Sequence, residues 1–435
     1  MQEATTVLAN TLLILLGMLA LAVPVAATMG ILGLVLDQLY SFFPLYRASG
    51  EIFWGTSTEF LLVSIPMFVL LGEIMLRAGM AERLYDALQK WLGWLPGGLM
   101  HANVSACAVF AATSGSSVAT AATIGTVAIP QGERFRYNDS LFLGTIAAGG
   151  TLGILIPPSI NLIIYGTLTD TSVPQLYLAG FIPGLLLAAL YSVTVVVLCL
   201  LRPGWGGVQQ HQSVTWGARL RSLVNLLPPL GIFLVVVGSI YAGFATPTEA
   251  AAVGVMAALG LAAGYRSLSL PMLRDAVEGT VRTSSMVILI VLAAYFLNFI
   301  MTSIGLTDQV TQMIRDLGWT PMETLIAIII FYLILGCFME TLSMMVTTIP
   351  ITAPIMVGLG FDPVWYGVVV MIVLEMALIT PPVGLNLYVV QGVRGKGSLN
   401  DVIMGSIPFV FTMLGMIVIL AVFPELATWL PSQFY

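Results

Sequence analysis

Apolar runs recur along the whole sequence, and they constrain its fold more than any other feature. Each approaches the roughly 20 residues that an α-helix needs to cross the hydrocarbon core of a bilayer. Only 8% of the 435 residues are charged, whereas about 25% are charged in an ordinary soluble domain. The sequence therefore predicts an all-α polytopic membrane protein in contact with the lipid bilayer. It contains no basic tract that would indicate a nucleic-acid partner.

We expect ten of the apolar segments to span the membrane. They cover residues 7–22, 26–45, 60–78, 141–166, 174–200, 224–243, 248–265, 285–304, 364–391 and 402–424. Two short amphipathic segments, 80–93 and 306–318, are expected to form helices along the membrane interface.

Two further apolar stretches, 99–130 and 324–357, are expected to turn back inside the membrane. The first includes ATSGSSVATAATIGTVAIP from Ala112 to Pro130, which is uncharged and whose Ser-Gly-Ser-Ser core makes a poor helix interior. Irregular backbone is tolerated at membrane depth only where protein buries it or it lines a wet cavity. We therefore predict a re-entrant hairpin here and a second one over 324–357, where Glu340 to Met356 takes the corresponding place.

The distribution of basic residues supports this arrangement. If the N-terminus is outside and both hairpins return to the side they entered from, 13 of the 15 Lys and Arg residues lie inside, and only Arg47 and Arg315 lie outside. Such a bias sets the orientation of membrane proteins, and a single crossing by either stretch would destroy it. Both termini are therefore predicted to be periplasmic. The N-terminus lacks a basic region before its apolar run, so we expect it to be retained.

The sequence also predicts an internal repeat. Pro24 recurs as Pro247, and the pair Pro157-Pro158 recurs as Pro381-Pro382. The first repeat would cover 1–201 with hairpin 99–130 and broken helix 141–166, and the second 224–435 with hairpin 324–357 and broken helix 364–391, joined by a cytoplasmic linker at 202–223. Each unit has five full spans, an odd number, so the second is inserted upside down. Inverted repeats with broken helices are typical of secondary transporters.

Polar residues cluster where each hairpin meets the following broken helix. Proline interrupts a helix and leaves neighbouring carbonyl and N–H groups without helical partners. Free carbonyl oxygens suit Na⁺, and helix N-termini suit carboxylates. The polar residues are Thr113, Ser114, Ser116, Ser117, Thr120, Thr123, Ser159 and Asn161 in the first half, and Thr341, Ser343, Thr347, Thr348, Thr380 and Asn386 in the second. The alternative for any single hydroxyl is a bond to its own helix.

The charged residues leave several interpretations open. Apart from Arg77 at the end of the span 60–78, no Lys or Arg falls inside the predicted spans or hairpin cores. An anionic substrate would therefore rely on helix N-termini, hydroxyls and a bound cation; a neutral substrate is the alternative. Glu340 and Glu375 are expected at membrane depth as cation ligands, proton carriers or neutral structural acids. Glu249 is expected to lie in the first turn of a helix that Thr246 or Thr248 caps. The motifs of serine hydrolases, zinc proteases and P-loop enzymes are absent, which argues against an enzyme.

Five segments together resemble the large membrane subunit, the M-type permease, of the tripartite ATP-independent periplasmic (TRAP) transporters. They are TSGSSVATAATIGTVAIP (113–130), LIPPSINLIIYG (155–166), GFATPTEAAAVG (243–254), ETLSMMVTTIPITAPIM (340–356) and ITPPVGLNLYVVQG (379–392). The resemblance implies Na⁺-coupled uptake of an organic anion, such as a C4-dicarboxylate or sialic acid, across the bacterial inner membrane. It also implies an elevator-type mechanism and two partners, a small four-helix membrane subunit and a periplasmic substrate-binding protein. A stand-alone Na⁺/dicarboxylate symporter of similar architecture is the alternative.

Matching these motifs to the chemistry of the side chains and carbonyl groups yields two sets of candidate site residues. The Na⁺ ligands would come from Ser114, Gly115, Ser116, Ile156, Asn161, Thr341, Ser343, Thr380, Pro381, Gly384 and Asn386. The substrate would contact Ser116, Ser117, Thr120, Pro158, Ser159, Asn161, Thr347, Thr348 and Asn386. No catalytic residue is expected.

Overall fold

The computed structural model describes residues 2–435 except 208–214, Leu317, Cys337, Phe338 and Val383, and it describes only the backbone of residues 2–5, 314 and 315. Within the described residues the fold is helical throughout. The helices of the first half are α1 (Gln2–Ala20), α2 (Val25–Tyr40), α3 (Ser49–Ser57), α4 (Ser64–Arg77), α5 (Met80–Leu92), α6 (Leu99–Ser114), α7 (Ser117–Arg134), α8 (Asp139–Leu155), α9 (Ile160–Thr169) and α10 (Val173–Leu201).

The second half has a similar order of helices. They are α11 (Trp216–Ser222), α12 (Leu227–Tyr241), α13 (Pro247–Gly264), α14 (Leu270–Ser303), α15 (Leu306–Asp316), α16 (Pro321–Leu335), α17 (Thr341–Gly358), α18 (Pro363–Ala377), α19 (Leu385–Arg394), α20 (Leu399–Val422), α21 (Glu425–Thr428) and α22 (Pro431–Phe434). Short 3₁₀ turns cover Leu45–Ala48, Phe60–Val63, Pro203–Gly206 and Leu223–Asn225.

Six of the described helices are long and apolar enough to cross a membrane, and two bent pairs raise the number to eight. Three predicted spans, at 7–22, 26–45 and 364–391, correspond to apolar helices that are shorter than this length. Helix α17, in contrast, is long enough to cross a membrane, although it is an arm of the second predicted hairpin. The predicted span 285–304 is the second half of α14, which has 34 residues. That helix is about 50 Å long, so its charged first half, with Arg274 and Arg282, extends beyond a hydrocarbon core of about 30 Å.

The first predicted hairpin is a closed helix–turn–helix. Helices α6 and α7 pack against each other, and only Gly115 and Ser116 lie between them. At the other end, the hydroxyl of Tyr137 accepts a hydrogen bond from the backbone N–H of Leu99, at 3.0 Å. The chain therefore leaves this hairpin beside the place where it entered. The irregular part is shorter than the stretch from Ala112 to Pro130 suggested, because α7 resumes at Ser117 and runs to Arg134, beyond the predicted end at 130.

The second hairpin consists of α16 and α17, which also contact each other. Its arms are joined by Tyr332, whose hydroxyl lies 2.6 Å from the Thr348 hydroxyl and 3.1 Å from that of Thr352. Residues 337 and 338, in the turn between the arms, fall outside the described residues. The observed arms cover 321–358, slightly more than the predicted 324–357.

The two Pro-Pro pairs interrupt their helices as predicted. Helix α8 ends at Leu155 and α9 begins at Ile160, with an angle of 41° between them. Helix α18 ends at Ala377 and α19 begins at Leu385. Both Pro-Pro peptide bonds are cis. The predicted cap of α13 is also confirmed, since Thr246 and Glu249 each accept a hydrogen bond from the other's backbone N–H.

Helices of the two halves pack closely against each other. Helix α7 contacts α19, α9 contacts α17, and α8 contacts α20. The last pair meets at two glycines, where a methyl group on Gly144 would lie 2.0 Å from the carbonyl oxygen of Gly405. At the end of α19, the largely buried guanidinium of Arg394 bonds to Asp139 at 2.5 Å and to Asp401 at 2.7 Å. The first hairpin and both broken helices thus form one packed body.

Candidate functional site

The tip of the first hairpin is a compact group of hydroxyls around a left-handed glycine. Gly115 ends α6 with φ +60°, and the Ser116 hydroxyl accepts the N–H of Ala119 to begin α7. The Ser114 hydroxyl lies 2.9 Å from that of Thr120, which donates to the carbonyl oxygen of Ser116 at 2.7 Å. Four of the predicted site residues, Ser114, Gly115, Ser117 and Thr120, are buried here, and Ser116 is half-buried.

The tip lies directly against the break between α8 and α9. A methyl group on Gly115 would lie 2.9 Å from the carbonyl oxygen of Pro158, and one on Gly153 would lie 3.0 Å from that of Ser116. Side chains would hold these backbones apart, so the glycines allow the approach. The Ser159 hydroxyl starts α9 by accepting the N–H of Leu162, at 3.4 Å, and donates to the carbonyl oxygen of Ile154.

Asn386 connects the same tip to the break between α18 and α19. Its side-chain amide donates to the Ser117 hydroxyl at 2.9 Å and to the carbonyl oxygen of Ala147 at 3.1 Å. The Asn386 side chain is fully buried, and its Oδ1 atom makes no hydrogen bond within the described residues. The first hairpin tip therefore contacts both broken helices, one from each half of the chain.

The break between α18 and α19 is more exposed than the break between α8 and α9. Thr380 donates its hydroxyl to the carbonyl oxygen of Met376 at 2.7 Å. Pro381 and Pro382 are exposed, whereas Pro157 and Pro158 are buried. Gly384 precedes α19 with φ +27°, and no side chain caps this helix. The two breaks therefore differ in accessibility, although their sequences are alike.

The tip of the second hairpin contains an acidic residue, Glu340. The Glu340 carboxylate accepts the N–H groups of Leu342 and Ser343 and the Ser343 hydroxyl, at 2.8 to 3.2 Å. It thus occupies the N-terminus of α17, where a substrate carboxylate could otherwise bind. The buried Thr341 hydroxyl makes no hydrogen bond within the described residues. Of the three roles considered for Glu340, the capping bonds favour a structural or cation-binding carboxylate.

Thr347 and Thr348 do not join the group around the first tip. Thr347 donates to the carbonyl oxygen of Ser343 at 2.6 Å, and Thr348 bonds within its hairpin to Met344 and Tyr332. Asn161 is buried at the start of α9, the helix that packs against α17. The side chain of Ile156 is directed toward Gly184 of α10, so only its backbone could serve a ligand.

The oxygen donors suit a hard monovalent cation. No group of three or more His, Cys, Asp or Glu side chains with metal-ligating geometry is found in the described part of the chain. A cation here would therefore use hydroxyl, amide and carbonyl oxygens, the donors expected of Na⁺ at broken helices. The buried Asn386 Oδ1 and Thr341 Oγ1, both predicted ligands, have unused lone pairs for such an ion. These two orphaned oxygens are the features that fit Na⁺.

Two groups that make hydrogen bonds in this region, the Ala147 carbonyl and the Tyr332 hydroxyl, were not anticipated from the sequence. The Ala147 carbonyl that fixes Asn386 is a backbone atom in a uniformly apolar run, so no pattern marks it. Tyr332 could have been found as a polar aromatic residue in the arm that pairs with the Thr-rich arm Thr347 to Thr352. Glu375, by contrast, was expected at membrane depth, and its side chain is fully buried in α18.

A protein family and several known proteins are similar to this chain. The family described as the DctM component of tripartite ATP-independent periplasmic transporters matches residues 12–426. The C4-dicarboxylate TRAP transporter large permease protein DctM of Vibrio cholerae is 31% identical, over 97% of this chain and 96% of the relative. The sialic acid TRAP transporter large permease protein SiaM of the same organism is 32% identical, over 87% and 88%.

A further relative and a solved structure are also similar to this chain. The ectoine/5-hydroxyectoine TRAP transporter large permease protein UehC of Ruegeria pomeroyi is 32% identical, over 85% of each chain. The crystal structure of the YdaH transporter of Alcanivorax borkumensis shares the fold, with a TM-score of 0.60 over 90% of this chain and 89% of that one, at 15% identity. The named relatives are transport permeases, which confirms the prediction that this chain is not an enzyme.

Proposed function

The chain belongs to the DctM family of tripartite ATP-independent periplasmic transporters, and from this premise we propose that it couples the uptake of an organic anion to Na⁺. It is a multi-pass permease of the inner membrane, as its relatives and apolar helices indicate. Named relatives transport C4-dicarboxylates and sialic acid. A carboxylated solute is therefore the substrate class that we propose for this chain.

The observation that carries the proposal is the meeting of the first hairpin tip with both broken helices. Gly115 approaches the Pro158 carbonyl, and Ser117 accepts a hydrogen bond from Asn386. A cation bound among these oxygens would hold three chain segments in one arrangement. Its charge would also offset that of a carboxylate nearby, because Arg134 and Arg394, the basic residues of the described hairpins and broken helices, lie at the far ends of α7 and α19.

The proposed substrate position is at the exposed second break. The N-terminus of α19 has no side-chain cap, whereas Ser116, Ser159 and Glu340 cap α7, α9 and α17. The N–H groups of Asn386 and Leu387 already donate to the carbonyl oxygens of Leu378 and Gly384, so this N-terminus would attract an anion mainly through the positive partial charge of the helix. This assigns the substrate contact to residues around Asn386 and leaves Thr347 and Thr348 to the interior of the second hairpin.

We further propose the partners and the motion that the family resemblance implied. The first hairpin, the second hairpin and both broken helices would move as one transport body in the proposed elevator mechanism. A small membrane subunit would enlarge the stationary part, and a periplasmic binding protein would deliver the solute. The two halves, 1–201 and 224–435, would be the inverted repeats, since α1, α2 and α4 to α10 correspond in order to α12 to α20, and α3 is an addition in the first half.

The test is uptake into proteoliposomes that contain this chain, its membrane partner and its binding protein. An inward Na⁺ gradient should drive accumulation, and replacing Na⁺ with K⁺ should abolish it. Accumulation at the same rate in K⁺ would overturn the coupling ion. Uptake that needs no binding protein would favour the stand-alone symporter instead.

A further inference from the structure

A groove of about 440 Å³ lies at one end of the molecule, between the start of α8, the end of α10 and the first turns of α20. Its volume is that of a ligand pocket, which is typically about 300–1,000 Å³. The walls are mainly apolar and include Leu141, Leu198, Leu201, Met404 and Pro408. The groove is distant in sequence from the hairpin tips and takes no part in the function proposed above.

The groove opens onto the apolar outer surface of the protein. Leu201 is 73% exposed and Met404 is 55% exposed. On a chain that spans a membrane, apolar side chains exposed at the end of a long apolar helix such as α10 contact lipid acyl chains. The groove is therefore continuous with the surface that the bilayer covers.

The polar end of the groove has a single net positive charge. Arg202 lies immediately after α10, with its guanidinium 4.6 Å from the centre of the Trp205 ring, and it has no ion pair within the described residues. Among the described residues that line the groove, none is acidic. Asp139, which is next to the lining residues Asn138 and Ser140, directs its carboxylate to Arg394 instead.

Two local features keep this end of the groove in place. The backbone N–H of Asn138 donates to the carbonyl oxygen of Trp205, at 3.2 Å, which fixes the chain after α10 against the start of α8. The side chain of Asn138 also caps α8 by accepting the N–H of Leu141 at 3.0 Å, so Arg202 is the group at this end that is left for an anion. A Trp with an amphipathic ring at such a position is typical of the membrane–water interface. The basic residues place this end in the predicted cytoplasmic leaflet.

We propose that this groove binds an anionic phospholipid of the cytoplasmic leaflet. The phosphate would lie on Arg202 beside Trp205, and an acyl chain would lie along Leu198, Leu201 and Met404. Basic pockets between helices on the cytoplasmic side are known to select anionic head groups. The lipid would join α8, α10 and α20, the three helices that line the groove.

Native mass spectrometry of the purified full-length protein tests the proposal. Phosphatidylglycerol and phosphatidylethanolamine with the same acyl chains are added separately to delipidated wild type, Arg202→Gln and Arg221→Gln. Arg221 is the matched control, because it is an exposed arginine on the same predicted side and outside the groove. Wild type and Arg221→Gln should retain phosphatidylglycerol preferentially. Arg202→Gln should bind it roughly tenfold more weakly, as expected when a charge-assisted hydrogen bond is removed.

A thermal-unfolding measurement on the wild type alone distinguishes the lipid from a soluble anion. Dihexanoyl phosphatidylglycerol should raise the unfolding temperature more than dihexanoyl phosphatidylethanolamine or the same concentration of inorganic phosphate. Equal retention of the two lipids by the wild type would overturn the proposal. So would unchanged retention by Arg202→Gln, or stabilisation by inorganic phosphate that equals that by the anionic lipid.

Discussion

The side-chain amide of Asn386 donates a hydrogen bond to the hydroxyl of Ser117 across 269 positions of the sequence, at 2.9 Å. Asn386 lies in the first turn of α19 and Ser117 begins α7, so the bond joins the starts of two helices from opposite halves of the chain. The same amide also reaches the carbonyl of Ala147 in α8. The orientation of this amide is thereby fixed, and its Oδ1 atom, which makes no hydrogen bond within the described residues, is the oxygen that we propose as a cation ligand.

Replacing Asn386 with Ala should weaken the response to Na⁺ and leave the protein folded. The Na⁺ concentration for half-maximal uptake should rise, because an oxygen ligand and the link to Ser117 are both lost. Ser116→Ala should act in the same direction at the tip. Ser117→Ala and the double variant Ser117→Ala/Asn386→Ala complete a double-mutant cycle. In such cycles the interaction energy between two contacting residues is commonly about 0.5–3 kcal/mol. Wild-type Na⁺ activation in both Ser116→Ala and Asn386→Ala would contradict the proposed ligand set.

Substituting Gly115 with Ala should destabilise the protein more than the same change at Gly79. Both glycines have positive φ, +60° and +72°, so both variants carry the backbone penalty of about 1–2 kcal/mol. At Gly79 the methyl group would meet nothing within 4 Å, whereas at Gly115 it would lie 2.9 Å from the Pro158 carbonyl oxygen. Thermal unfolding of the two variants measures the difference, and equal unfolding temperatures would show that the tip and the break are not in close contact.

Removing the charge of Arg394 should lower stability much more than removing that of Lys396. The side chain of Arg394 is 7% exposed and holds both Asp139 and Asp401, whereas that of Lys396 is 64% exposed and bonds only to Glu133 among the described carboxylates. Hydrogen bonds to charged groups contribute about 1.5–3 kcal/mol, and an exposed pair contributes about 0–1 kcal/mol. Thermal unfolding of Arg394→Gln and Lys396→Gln, at low and high salt, provides the measurement. Equal shifts would mean that the buried bridge adds no more than the exposed one.

Changing Glu340 to Gln separates a structural role from cation binding. A glutamine keeps one oxygen acceptor for the N–H groups at the start of α17, so stability should fall by about 0.5–2 kcal/mol at most. Glu323→Gln is the control, since Glu323 has a comparable capping bond in α16 at an exposed site. If Glu340 only caps the helix, the two variants should share the same Na⁺ dependence. A selective loss of Na⁺ affinity in Glu340→Gln would identify the carboxylate as a ligand.

Much of the fold follows from patterns that act locally. Helices α8 and α18 end shortly before the Pro-Pro pairs, as expected because proline has no backbone N–H, and the Ser-Gly-Ser sequence forms the turn at Gly115. The Thr246–Glu249 cap was likewise predictable, because its two partners are three residues apart. Helix ends were harder to place, as α14 shows: hydropathy located its apolar half but not the charged turns that precede it.

The sequence predicted many of the residues of the candidate site, but it could not predict which of them contact each other. Sequence patterns selected Ser117 and Asn386 as polar residues at matching breaks, but they could not pair them, because the contact depends on how α7 packs against α19. They also could not separate Thr348, which bonds inside its hairpin, from Ser117, since both are hydroxyl residues in apolar segments. The acceptor carbonyl of Ala147 carries no side-chain signal at all.

The contact between Gly144 and Gly405 has a consequence for biogenesis. The first half places α8 at the centre of the molecule, but the surface that fits its glycine face belongs to α20, which the ribosome makes much later. Until then that face must be shielded by lipid or by the insertion machinery. We therefore expect the first half to remain protease-sensitive in the membrane during synthesis and to mature only when α20 has been inserted.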